Sequence, residues 1–222
     1  MGVESSLVNS IISKVLHICV VLMIPLSIWS QNIYSINQSG DTIYTPWKGD
    51  FDINLLDKLN PNPPSSIIEK QISNSAFWLP PAIVVGELSY GLIKNDKAYK
   101  RYALETTMSV AFGQGISYGF KYLLKRPRPY MSYPERIHPI NYSMEPSFPS
   151  GHTTLAFSTA TSLALTRKQW TVTLPISLWA GAVGHSRMYL GRHFPTDVLG
   201  GIVAGIAGGL LSHYITGRIY GD

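Results

Sequence analysis

Apolar residues in this chain gather in long runs separated by basic, polar or proline-rich segments. The first run, residues 15–29 (VLHICVVLMIPLSIW), comes after Lys14 and precedes Ser30-Gln31-Asn32. About fifteen apolar residues are short for a membrane span and suit the core of a signal peptide. Residues 1–30 are therefore expected to be a cleaved signal or a retained N-terminal anchor, and either one exports the remainder of the chain. Residues 31–70 are polar and turn-rich, with Asn60-Pro61-Asn62-Pro63-Pro64 as a breaker. Their aspartates (Asp41, Asp50, Asp52, Asp57) share no metal-ligand spacing, and Asp50 and Asp52 with Lys48 are expected on a solvated face.

From residue 71 the character changes. Five apolar stretches occupy 71–93, 102–120, 151–166, 169–186 and 198–217. Glu87 and Glu105 are the only charges in the first two, and the other three contain no Asp, Glu, Lys or Arg. Each stretch is near the roughly 20 residues that cross a bilayer as a helix. The pattern predicts an all-α bundle of about five to six helices, transmembrane rather than soluble, with a domain over 71–222. Gly201, Gly205 and Gly209 recur every fourth residue in the last stretch, a spacing that permits close helix contact. The loop 94–101 (KNDKAYKR) and the pair Arg167-Lys168 place positive charge at one end. Put in the cytoplasm, they satisfy the positive-inside bias and turn 31–70, 121–150 and 187–197 outward.

Composition agrees with this picture. Only 14% of the 222 residues are charged and 45% are apolar, against about a quarter charged in soluble domains. The net charge of +5 fits an anionic partner, but no basic run with interleaved aromatics points to nucleic acid. The single cysteine, Cys19, allows neither an internal disulfide nor a cysteine metal site and reads as a buried hydrophobe.

Three polar clusters stand at the edges of apolar helices, which predicts an active site at one end of the bundle. The first is Lys121-Tyr-Leu-Leu-Lys125-Arg126-Pro127-Arg128-Pro129, where prolines stiffen the backbone on both sides of Arg128. The second, Phe148-Pro149-Ser150-Gly151-His152, opens the third stretch. Ser150 can cap that helix, Gly151 lets the backbone approach an anion, and the unpaired N–H groups of a helix start favour phosphate. The third runs from Ser186-Arg187 to Arg192-His193 and Asp197. His193 and Asp197 share one face if a helix starts near Pro195; an aspartate on one ring nitrogen leaves the other free as a nucleophile. Arg187 adds a forked donor suited to phosphate oxygens.

Together the clusters resemble the signature of the type 2 phosphatidic acid phosphatase superfamily. That family includes membrane lipid phosphatases, soluble bacterial class A acid phosphatases and vanadium haloperoxidases. Its signature is Lys, six residues, Arg-Pro; then Pro-Ser-Gly-His; then Ser-Arg, five residues, His, three residues, Asp. All eleven specified positions are present here, in order and at the right spacing. The resemblance covers about 71–217. It implies a phosphoric ester hydrolase in which His193 is the nucleophile, forming a phosphohistidine, and Asp197 orients it. By the same resemblance His152 is the general acid and then the base, while Lys121, Arg128, Ser150, Gly151 and Arg187 hold the phosphate. It implies no metal, no other cofactor and inhibition by vanadate.

The expected substrate is a lipid phosphate monoester or diphosphate, met at the periplasmic face of the inner membrane. The alternatives are a soluble periplasmic acid phosphatase, a non-catalytic lipid-binding protein and a haloperoxidase. Lys125, Arg126, Arg192, His138 and His185 lie near the motifs and are expected to be solvated or packed. Arg126 and Arg192 are also the candidates for contact with a substrate headgroup.

Overall fold

The computed structural model describes residues 33–36, 42–45 and 51–221. The expected signal or anchor, Cys19, Lys48 and Asp50 lie outside the described residues. Within 31–70, β1 (Ile33–Ile36) and β2 (Thr42–Thr45) pair antiparallel, with Ile33 opposite Thr45 and Ile36 opposite Thr42. Their β-branched and aromatic residues favour strands, a local pattern that the polar average of the segment conceals. A short helix, α1 (Phe51–Leu59), comes next.

Five long helices then build the domain: α2 (Ile67–Ile93), α3 (Lys97–Leu124), α5 (Gly151–Arg167), α6 (Trp170–Tyr189) and α7 (Pro195–Tyr220). A single turn, α4 (Pro129–Ser132), sits in the long connection between α3 and α5. Each of the five apolar stretches became one helix. The helices outrun the stretches where polar caps allow. Ser66 accepts a hydrogen bond from Glu69 N at the start of α2, and Asp96 accepts from Ala98 N and Tyr99 N at the start of α3. Helix α5 is central and packs against α2, α3, α6 and α7.

The helices bury many polar side chains beside their apolar core clusters and expose large apolar ones. Glu105, Thr106, Ser109, Ser158 and Ser162 are fully buried between helices. Trp78, Val85, Leu92, Leu123, Trp170 and Leu178 lie on the outside. Some inner hydroxyls find partners: Thr106 bonds Ser162, and Ser109 donates to Ser158 O. Helices α2 and α7 are long and apolar enough to cross a bilayer. Polar contacts between helices under an apolar outer surface suit a lipid setting.

Glycines make the close packing possible. A Cβ at Gly201, Gly205 or Gly209 would meet Thr153, Phe157 and Ser158, or Thr161, all on α5. Gly208 is tighter: its Cβ would lie 2.5 Å from Gly113 N and 2.7 Å from Ser109 O on α3. Those are backbone atoms and cannot rotate aside. Gly208→Ala should therefore lower stability by about 1–3 kcal/mol, whereas Gly115→Ala, with nothing within 4 Å, should not. Thermal unfolding of the two purified variants checks this, and equal midpoints would refute it.

Candidate active site

The three motif clusters meet at one end of the bundle. After α3 ends at Leu124, Lys125 takes a left-handed conformation (φ 47°) that turns the chain sharply. Pro129 then starts α4, so Arg128 is held in extended backbone ahead of it. The buried Arg128 donates from Nε to Glu145 O (2.9 Å) and from one terminal nitrogen to Arg192 O (3.1 Å). That same nitrogen lies 3.4 Å from His193 Nε2. Lys121, on the last turn of α3, donates to Pro146 O at 2.6 Å.

His193 comes just after a turn that only glycine fits easily. Gly191 has φ +64°, and a Cβ there would meet His138 O at 2.6 Å. Helix α7 starts at Pro195, which places Asp197 in its first turn, where the helix dipole favours a carboxylate. One Asp197 oxygen accepts from Phe194 N (2.8 Å) and from the Ser147 hydroxyl. The other accepts from Arg126. His193 Nδ1 stands 3.5 Å from the first of these oxygens, within ion-pair range but without a formed hydrogen bond. Such contacts often tighten only when substrate binds. His193 is fully buried. Burial, then the charges of Arg128, Arg187 and Lys121, hold its pKa well below the usual imidazole range, so the ring is neutral at neutral pH.

The Pro-Ser-Gly-His segment docks on the same loop. Ser150 N donates to Asp197 O at 2.9 Å. Ser150 is the N-cap of α5, as expected, but its side chain makes no cap bond; the hydroxyl instead accepts from the Thr153 hydroxyl at 2.9 Å. Gly151 leaves room above the helix start, its virtual Cβ touching only Gln114 Oε1 at 3.7 Å. The first N–H groups of a helix lack intrahelical acceptors. His152 meets the Phe77 ring edge-on, centroids 4.4 Å apart.

Arg187 is buried near the end of α6 and donates to the Ser73 hydroxyl of α2 at 2.5 Å. Together with His152, Arg192, Lys70, Asn74 and Asn141 it lines a polar cavity of about 450 Å³. The Nε atoms of Arg187 and Arg192 are buried and find no hydrogen-bond acceptor among the described residues. Lys121, Arg128 and His193 are not on the wall of this cavity. An apolar groove of about 310 Å³ lies beside it, lined by Ala76, Pro80, Val84, Thr107 and Leu155, and Phe77 belongs to both.

Asp52 departs from the sequence expectation, Arg126 takes the packed place that expectation allowed, and Ser147 was not singled out by it. Asp52 is not on a solvated face: it is buried, bonded to Arg126 and to Thr196. Arg126 is packed, its guanidinium 3.9 Å above the Phe194 ring, and is turned to Asp52, Thr196 and Asp197 rather than to a headgroup. Ser147, just outside the second motif, completes the Asp197 shell. No short-range spacing signals any of them, because their partners are 50 to 144 residues away.

The sequence profile of the PAP2 superfamily matches residues 102–220. Among curated relatives, an undecaprenyl-diphosphatase, BcrC of Bacillus subtilis, is 31% identical over 56% of this chain and 62% of its own length. A lipid A 4'-phosphatase of Bacteroides thetaiotaomicron is 30% identical over 68% of this chain and 71% of its own. The chain spans about three fifths of the length of the first curated relatives it matches. Among solved structures, LpxE of Aquifex aeolicus superposes with a TM-score of 0.53 at 24% identity, covering 73% of this chain and 94% of that one. That likeness extends the agreement to the fold, and the profile match spans all three motif clusters: the chain belongs to the PAP2 superfamily.

Proposed function

We propose that the protein is a metal-independent lipid phosphate phosphatase working through a phosphohistidine on His193. One observation carries the reading: a buried, neutral His193 stands between Asp197 at Nδ1 and Arg128 at Nε2, with Lys121 and Arg187 close enough to depress its pKa. Phosphoryl transfer needs in-line positioning and fixed positive charge around the equatorial oxygens more than it needs covalent chemistry from the protein. Lys121, Arg128, Arg187 and the N–H groups at the Ser150–Gly151 helix start supply both.

In the first half-reaction His193 Nε2 attacks phosphorus as the ester P–O bond breaks, and His152, protonated in the complex with the anionic phosphate, gives that proton to the departing oxygen. In the second, His152 takes a proton from water, the water oxygen attacks phosphorus, and the P–N bond breaks to release inorganic phosphate. Asp197 steadies the ring as it becomes positive.

A phosphorylated lipid fits the surroundings. The polar cavity on the His152 side adjoins an apolar groove through Phe77, so a headgroup and an acyl or prenyl chain have adjacent places. Relatives that act on undecaprenyl diphosphate and on lipid A phosphate bracket the class as lipid monoesters or diphosphates. Lys94, Lys97 and Lys100, with Arg167 and Lys168, lie at the helix ends away from the site. With those ends in the cytoplasm, the site opens at the periplasmic face of the inner membrane.

The test is phosphate release from a panel of lipid monophosphates and diphosphates by alkali-washed membranes carrying the protein. Activity should stay with the pellet, persist in EDTA and be inhibited by orthovanadate, which mimics the trigonal-bipyramidal transition state. Loss in EDTA would sink the metal-free mechanism, and release into the supernatant would favour a soluble acid phosphatase.

A further inference from the structure

We infer that Asp52, on the helix ahead of the matched region, is a positioning residue of the active centre: through Arg126 it fixes the carboxylate that faces His193. The inference rests on the phosphohistidine mechanism proposed for this site. Asp52 belongs to α1, outside residues 102–220, which match the family profile.

Its carboxylate is fully engaged. One oxygen accepts from Thr196 N at 3.0 Å; the other accepts from the Thr196 hydroxyl and from an Arg126 terminal nitrogen at 2.9 Å. The second terminal nitrogen of Arg126 donates to the Thr196 hydroxyl at 2.9 Å and to Asp197. A buried guanidinium is thus shared by two carboxylates, 145 positions apart in the chain, one of which abuts His193 Nδ1. The fork geometry of arginine makes the coupling directional: with one arm held by Asp52, the other is turned to Asp197 and the Thr196 hydroxyl beside it.

Asp52 thereby restrains Thr196 and hence the start of α7, which carries Asp197. It also draws part of the Arg126 charge, leaving more of the Asp197 charge for the ring that becomes positive during phosphoryl transfer. With Asp52 neutralised, Arg126 would pair with Asp197 alone. The rest of α1 is built to hold this contact. Ile53 and Leu56 pack with Tyr130, Ile137 and Phe194. Beyond its end, the Asn60 amide donates to His138 O and Tyr189 O and accepts from His138 N. The segment preceding the motifs thus becomes part of the active centre.

A double-mutant cycle on the full chain tests this, with a soluble ester, p-nitrophenyl phosphate, as the probe. Asp52→Asn should lower kcat about tenfold with KM within about twofold. In an Asp197→Asn background the same substitution should cost less than about twofold, because the residue through which it acts is already disabled. A multiplicative loss in that background, or an unchanged kcat for Asp52→Asn alone, overturns the inference, since a residue that merely supports the fold acts independently of Asp197. Should Asp52→Asn not fold, Asp52→Ser enters the same cycle. The parent reading is checked alongside. If His193→Ala retains wild-type hydrolysis, that reading fails; if His193→Ala is inactive and the cycle is multiplicative, only the role of Asp52 fails.

Discussion

His193→Ala should lose at least about 10⁴ in kcat, as removal of a covalent nucleophile does elsewhere. The substitution removes a fully buried ring flanked by Asp197 and Arg128, and no other imidazole among the described residues is placed to replace it. His152 stands on the wall of the polar cavity, where it makes no hydrogen bond to Asp197 or Arg128. The stronger test separates the two histidines by what accumulates. A phosphoramidate survives alkali, so an alkaline quench during turnover of a ³²P-labelled ester should leave label on the wild type and none on His193→Ala. With an ester whose leaving group needs no proton, His152→Ala should still be phosphorylated but hydrolyse the intermediate slowly, and so carry more label than the wild type. Label on His193→Ala, or none on either of the other two proteins, would refute the assignment. A hydrolysis rate for His193→Ala above about a tenth of wild type would do the same.

The residues that meet at this site were legible in the sequence. Their types and spacing follow the family signature, and the helix starts at Pro129, Gly151 and Pro195 hold that spacing. The helices were legible because each is a long apolar run bounded by basic, polar or proline-rich residues, and two of them are long and apolar enough to cross a bilayer. Their ends were less so: α3 begins at Lys97, five residues before its apolar stretch, because Asp96 caps it there. The glycine repeat at 201, 205 and 209 marked the face toward α5, yet the closest backbone approach, Gly208 on Gly113, lies off that repeat on the α3 side. Asp52 read as a surface aspartate because local polarity is all a sequence shows of it. Its partners Arg126 and Thr196 come near only when α1 folds over the motif loops. The partners on which Arg126 packs were unreadable for the same reason, since a basic residue between motif positions looks alike whether it faces solvent, a headgroup or a buried carboxylate.

Asp197→Asn should cut kcat by about 10³ and leave KM within a few-fold, the pattern of a group that acts in the transition state rather than in substrate binding. The two oxygens of Asp197 receive three donors: Arg126, the Ser147 hydroxyl and Phe194 N. Asparagine offers one oxygen and one NH₂. If the oxygen faces Phe194 N, the NH₂ meets the Arg126 guanidinium; in the flipped rotamer it meets the backbone N–H instead. Only the Ser147 hydroxyl can turn to accept. One buried donor therefore confronts another, at a cost of about 1–3 kcal/mol in stability. The charge is lost as well, so Arg126 keeps one carboxylate partner, Asp52, and the His193 ring loses the anion that would stabilise it as its positive form develops. Stability and catalysis are separable here. Asp197→Asn should unfold at a lower temperature, while single-turnover phosphorylation of the folded fraction remains slow at every temperature below that transition. A variant that unfolds early but phosphorylates at the wild-type rate while folded would make Asp197 a structural cap of α7 and nothing more. A rise in KM with kcat preserved would move it from steadying His193 to holding the substrate.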